Sequence, residues 1–202
     1  MARRGISGLG LAVLVLWPAV AAAQDNFWLN DTGGSFGDSG NWSLGVPMPF
    51  QSAAFNLHSP GYGVYLDRSY ATLGLAVRDD SVYLSLGGFR YDVTDWDGLT
   101  IGRDAGESGH LAVSGGILSA YLSTLGQEAG SYGSAIVGSG TIWETLAFFT
   151  VGQYGTGHVT IQSGAEAVTT GFSWVASEPG SAGTVVLLWD MNTLPWRAQA
   201  YE

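Results

Sequence analysis

One phrase recurs along this chain at a nearly constant interval. "LTIGRDAGESGHLAVSGG" starts at Leu99 and "FTVGQYGTGHVTIQSGA" at Phe149. Each has an apolar triplet closed by Gly, a Gly-rich passage, then Gly-His and an alternating apolar run. The glycines that open the alternating runs are Gly109, Gly133, Gly157 and Gly183, in steps of 24, 24 and 26. The residues that close the preceding triplets are Gly102, Gly126, Gly152 and Ala176, in steps of 24, 26 and 24. An earlier copy is visible in "LGLAV", which ends at Val77, and "GYGVYL" from Gly61 reads as a strand before it.

A period this short constrains the fold. Alternation of apolar and polar residues over four or five positions predicts strands with one buried face. A 24-residue unit has room for three such strands, here Ser123–Gly126, Ser134–Val137 and Thr141–Leu146, separated by turns. Gly and Ser at the corners supply the backbone freedom sharp turns need. One unit cannot bury its own apolar face, but stacked units can, each strand pairing with its copy about 4.8 Å away. The expected fold class is therefore all-β: a right-handed parallel β-helix, or β-solenoid, of short strands with coils of about 24 residues and an N-terminal cap. The right hand follows from strand twist and the usual sense of parallel crossovers. The rival is a sandwich or propeller of antiparallel hairpins. Propeller blades repeat at about 40 to 45 residues, and the half-period copy at Gly126 has no place in a blade.

The first residues carry an address. Arg3 and Arg4 precede an apolar run from Leu9 to Val20, and Ala21-Ala22-Ala23 follows. This is the three-part pattern of a secretory signal peptide, with cleavage expected between Ala23 and Gln24. The apolar run is short for a membrane anchor, and the Arg pair lacks a twin-Arg context, so the general secretory route and a secreted or cell-surface location are expected. The domain reading is residues 1–23 signal peptide, 24–98 N-terminal cap and first coils, and 99–202 β-helix repeats with an irregular end.

Composition narrows the partners. The chain has seven Arg, no Lys and 17 acidic residues. Removal of Arg3 and Arg4 leaves five cations, a formal charge of −12. Such a surface repels nucleic acid and anionic lipid. No second segment is long and apolar enough to span a bilayer as a helix. Cys is absent, which excludes disulfides and a zinc-thiolate site.

No residue pattern announces chemistry. His110 and His158 occupy the same place in units two apart, about 10 Å by coil spacing, too far to share one metal ion. Ser134 lies between them, and His58 stands alone. Asp92, Asp95 and Asp97 precede Gly98 in "YDVTDWDG". They suggest the start of a calcium loop but lack the later Glu of an EF-hand, so a solvated acidic turn is the expectation. Arg103 beside Asp104 reads as an exposed ion pair in a turn. Phe27, Trp28, Phe36, Trp42, Phe50 and Phe55 cluster early, and rings of that size are what a chain end needs to plug an open core. Exposed, Trp28 and Trp42 would instead offer stacking faces for sugars. The sequence predicts no catalytic set, metal site or cofactor, and it leaves ligand-binding residues open.

These units resemble the repeats of autotransporter-type and pectin-lyase-like β-helix proteins of exported bacterial surface proteins. "FTVGQYGTGHVTIQSGA" is similar to their unit. "GSAIVGSGTIW" resembles its companion half, with Trp143 in place, and "FWLNDTGGSFGDSGNWSLGVP" resembles their N-terminal start. The resemblance covers nearly all of the chain after the signal. It implies a non-catalytic structural or adhesin-like module at the cell surface, with glycans or protein as partners. The alternative it implies is a polysaccharide-binding or polysaccharide-cleaving protein. After Gly183 the chain departs from the pattern. Trp189 and Trp196 are expected to cover the last coil. An uncovered coil would leave an open strand edge, a template for end-to-end self-association.

Overall fold

The computed structural model describes residues 24–188. The expected signal segment through Ala23, and Trp189 and Trp196, lie outside the described residues, and Gln24 opens the first strand. In chain order the strands are β1 Gln24–Phe27, β2 Gly34–Ser35, β3 Gln51–Phe55, β4 Tyr62–Tyr65, β5 Tyr70–Thr72 and β6 Leu75–Val77. Next come β7 Ser81–Ser85, β8 Arg90–Val93, β9 Leu99–Ile101, β10 Ser108–Ser114, β11 Gly116–Leu125 and β12 Tyr132–Val137. The last are β13 Thr141–Val151, β14 Thr156–Ile161, β15 Glu166–Thr169, β16 Phe172–Val175 and β17 Ala182–Leu187.

These strands wind into a parallel β-solenoid of about seven coils. One sheet runs β1-β3-β6-β9-β11-β13-β15, with β5, β8 and β16 joined at its bend. The other runs β2-β4-β7-β10-β12-β14-β17. The repeated phrase is the unit of stacking. Gly109, Gly133, Gly157 and Gly183 pair in one column, and Val77 pairs with Ile101. Leu84, Val113, Val137, Ile161 and Leu187 form an inward column. A second runs Phe55, Val77, Ile101, Leu125, Val151 and Val175. Alternation does what period 2 requires: in Ser81–Ser85, Val82 and Leu84 are buried while Tyr83 and Ser85 are exposed.

The turns stack as well. Gly102, Gly126 and Gly152 have φ of 62°, 65° and 77°, and Ala176 takes the same place with φ 55°. Gln127, Gln153 and Ser177 each donate a backbone N–H to the carbonyl of the turn one coil earlier. The triplet-closing Gly is therefore the residue that can adopt the left-handed backbone of this corner.

Two expectations about strand limits need correction. Ser123–Leu125 is not a separate strand but the end of the continuous β11, with Gly126 already in the turn, and Thr141–Leu146 is the first half of β13. The corner between two faces is made there by a bulge rather than a turn. Ala120 pairs with Thr145 and Leu122 with Phe148, so Tyr121 faces two residues. A bulge bends the chain while keeping its flanks paired. Where Asp95, Asp97 and Gly98 occupy the corner, the strand breaks into β8 and β9 instead.

The two ends of the core differ. At the first coils Trp28, Phe36, Trp42, Phe55, Tyr62, Tyr70 and Tyr91 are buried together. Trp28 packs edge-on to Trp42 at 5.0 Å, and Phe36 lies 4.6 Å from Tyr70. The Trp42 indole N–H donates to the Phe36 carbonyl at 2.8 Å. Of the six early aromatics, Phe27 and Phe50 stay exposed. Midway, Trp143 donates to Ser123 Oγ at 3.1 Å, and Ser123 shares a hydrogen bond with Thr145 at 2.8 Å, so the core's polar atoms there are satisfied. At the last coil the interior columns surface: Val151 is 0% exposed and Val175 52%.

Candidate functional site

The outward side of the second sheet carries an arrangement with the features of a binding site. Pairing registers place Ser81, His110, Ser134, His158 and Thr184 in one solvent-facing column. The next column holds Tyr83, Ala112, Ile136, Thr160 and Val186. Rows are one strand spacing apart, about 4.8 Å. Ala112 is thus a small residue between two large ones, Tyr83 below and Ile136 above. The missing side-chain volume leaves a shallow open cavity of about 230 Å³, lined by Ser81, Tyr83, His110, Ala112, Ser134 and Ile136 among others. Tyr83 and Ile136 are exposed at its rim.

The polar wall is ordered by its own contacts. His110 Nδ1 and Ser134 Oγ lie 2.6 Å apart, and the imidazole leans on Tyr132 at 5.5 Å between ring centroids. His110 Nε2 reaches Ser108 Oγ only at 3.5 Å. His158 Nε2 and Thr160 Oγ1 are 3.2 Å apart. The two histidines are held in register but separated by Ser134, as their spacing predicts. No side chain lining the cavity carries a fixed charge.

The other chemistry-bearing residues are engaged elsewhere. Asp80 is buried and accepts from Leu57 N, Ser59 N and the Tyr62 hydroxyl at 2.6–2.8 Å. Burial, and then that bond, hold the Tyr62 phenol well above its ordinary range. Asp92 and Glu144 both pair with Arg90, at 2.7 and 2.8 Å. Asp95 caps its own turn by accepting from Trp96 N. Asp92, Asp95 and Asp97 are thus not gathered into one site; among the described residues no three His, Asp or Glu converge as metal ligands would. Arg103 and Asp104 do not pair through their side chains; both backbone N–H groups donate to Glu107 Oε2, at 2.9 and 3.0 Å. The turn's hydrogen bonding, not charge pairing, organises them. His58 sits 3.6 Å from Asp79 at the surface.

Sequence reasoning missed Tyr83, Ala112 and Ile136. The signal was the outward positions of "SVYLS", "HLAVS" and "SAIVG". Aligning the first of these with the second needs a step of 29 residues, from Leu84 to Val113, outside the 24-residue ladder. Among the described residues no helix is long and apolar enough to cross a membrane. The chain matches no family model, no curated protein and no solved structure.

Proposed function

We propose that this chain is an exported, non-catalytic β-solenoid module that stands as a stiff element at the bacterial cell surface and presents its sheet faces to the surroundings. The observation that carries this reading is the parallel strand pairing that continues from β3 to β17 around a hydrophobic core. Successive coils are joined by rows of main-chain bonds on both sheets, so bending requires several to break together. Three further features support it. The tripartite pattern of residues 1–23 fits the general secretory route. The repeat resembles those of autotransporter-type and pectin-lyase-like surface proteins. Trp28 and Trp42, the stacking faces that a sugar-processing reading would use, are 1% and 3% exposed and fill the core.

Adhesion is part of the proposal, with glycans or protein as partners. The surface charge disfavours nucleic acid and anionic lipid. End-to-end association belongs to it as well: Phe172 and Trp174 on the last coil, at 66% and 43% exposure, stack with Phe148 beside the outer edges of β15, β16 and β17. Association predicts a mass that rises with concentration in sedimentation velocity.

The test is expression of the full chain in a Gram-negative host. Mass spectrometry of the exported product should place the new N-terminus at Gln24, and protease shaving of intact cells should remove it. The same product, incubated with neutral and acidic polysaccharides, should release no reducing ends or unsaturated sugars. Retention inside the cell with Met1 in place would refute export, and bond cleavage would refute the non-catalytic reading.

A further inference from the structure

We infer that the notch over Ala112 binds one pyranose ring of a neutral polysaccharide whose chain lies along the solenoid axis. This deepens the adhesive reading above and rests on it only for access: the face must be outside the cell to meet such a ligand.

The chemistry of the notch selects the ligand class. A sugar ring has two kinds of surface, an apolar face of C–H bonds and a rim of hydroxyls that both donate and accept. The notch has both complements. Tyr83 and Ile136 stand on either side of the Ala112 floor and give apolar contact. An aromatic ring is suited to stack on a C–H face, and tyrosine adds a hydroxyl at its tip. The adjoining column gives Ser81, His110 and Ser134. Each can donate or accept, apart from the bond that His110 and Ser134 share. Hydroxyl rims need such two-way partners; a carboxylate ligand or a phosphate needs cations.

Charge excludes the acidic alternatives. The cavity lining has no Arg, the chain has no Lys, and its formal charge is −10. A polyuronate would meet repulsion with no counter-charge at the site. Size excludes others. At about 230 Å³ the cavity is below the roughly 300–1,000 Å³ of pockets that enclose whole drug-sized ligands, so it takes one ring and leaves the remainder outside. Of its apolar lining, Val82 and Leu111 are buried and Tyr83, Ala112 and Ile136 face outward, a patch far short of the roughly 800 Å² per partner of a stable protein interface. The polar column continues past the notch through His158 and Thr184, with Thr160 beside it. That gives further hydroxyl partners at one-coil intervals along the axis, about 4.8 Å each. A linear polymer can follow this ladder; a free monosaccharide cannot use it.

The experiment is a titration of the full chain with neutral hexaoses of glucose, mannose and xylose, and with hexagalacturonate as the acidic probe. Isothermal calorimetry reads binding in the millimolar range or tighter. We expect at least one neutral hexaose to bind and hexagalacturonate not to. Two variants act on the notch from opposite directions. Tyr83→Ala removes the stacking ring. Ala112→Leu fills the floor while leaving every proposed contact residue in place. Each should weaken binding at least tenfold. Tyr65→Ala removes an exposed tyrosine from the same sheet, outside the notch, and should leave affinity within twofold. Thermal melts of each variant establish that the solenoid is intact. The inference is overturned if no neutral hexaose binds at 10 mM, if only the polyuronate binds, or if Ala112→Leu binds as wild type does. Failure here leaves the exported structural reading standing, because none of these outcomes touches export or rigidity. Cleavage of a bound hexaose would sink the non-catalytic reading and leave the site.

Discussion

Gly133 is a position where a single methyl group should be strongly damaging. It lies in β12, where its backbone packs closely against that of Ile101 and Gly126. A Cβ built there would sit 2.6 Å from Gly126 N and 2.9 Å from the Ile101 carbonyl carbon, with the Ile101 oxygen nearer still. An ordinary contact needs about 3.4 Å or more, and the atoms in the way are backbone, which cannot rotate aside. They are also the two ends of one hydrogen bond, Gly126 N to Ile101 O at 2.9 Å. Accommodating the methyl group means parting this pair and shifting the turn that Gln127 ties to Gly102. Overpacking costs about 1–3 kcal/mol. A buried backbone pair left unmatched adds about 1–3 kcal/mol. Gly133→Ala should therefore lose roughly 2–6 kcal/mol. The assay is equilibrium urea unfolding followed by tryptophan fluorescence, comparing midpoints at constant m. Gly63→Ala is the control, since a Cβ there meets nothing within 4 Å and the backbone needs no positive φ; its effect should be within about 0.5 kcal/mol. If Gly133→Ala behaved like Gly63→Ala, the close approach of turn and strand would not be what selects glycine, and the account of the repeat would fail.

Three further outcomes are expected. Ala176→Gly should stabilise the chain by about 0.5–1 kcal/mol, because relief of a left-handed alanine, roughly 1–2 kcal/mol, exceeds the added flexibility of the unfolded glycine; a lower melting temperature would contradict this. The Tyr70 phenol is raised to about 12, by burial first and by its bond to Asp67 second, and burial raises Tyr91. An unfolded phenol titrates near 10, so the folded state keeps protons that the unfolded state gives up. This contribution to stability is complete below about pH 10 and is lost as pH rises toward 12 and beyond. Absorbance at 295 nm should show late-titrating tyrosines whose ionisation coincides with loss of the circular dichroism signal; titration of every tyrosine near 10 in the folded state would refute it. Arg90→Gln breaks both surface pairs to Asp92 and Glu144, yet those groups are 32–39% exposed. A loss above about 1 kcal/mol in thermal melts would exceed what screened pairs supply.

The sequence alone determined the coil. Period, alternation and turn glycines are local properties, and each is fixed by what a short segment's backbone and one buried face require. Stacking at 24 residues then follows wherever the steps stay near that value, from Leu99 onward, and the Val113, Val137 and Ile161 column was readable in advance. The tertiary structure decided what depends on neighbours far along the chain. In the early coils the steps are irregular, 20 residues from Val64 to Leu84 and 29 from Leu84 to Val113, so no ladder of identical residues could align Tyr83 with Ala112. The bulge at Leu146 and Ala147, opposite Tyr121, has no turn-forming residue to announce it. Whether Trp28 is a plug and Phe50 a surface ring depends on which side faces the open core, a matter of three-dimensional closure. The notch is likewise a missing volume between residues of three different coils. A gap of that kind is made by register, and register between coils is settled only when the whole stack packs.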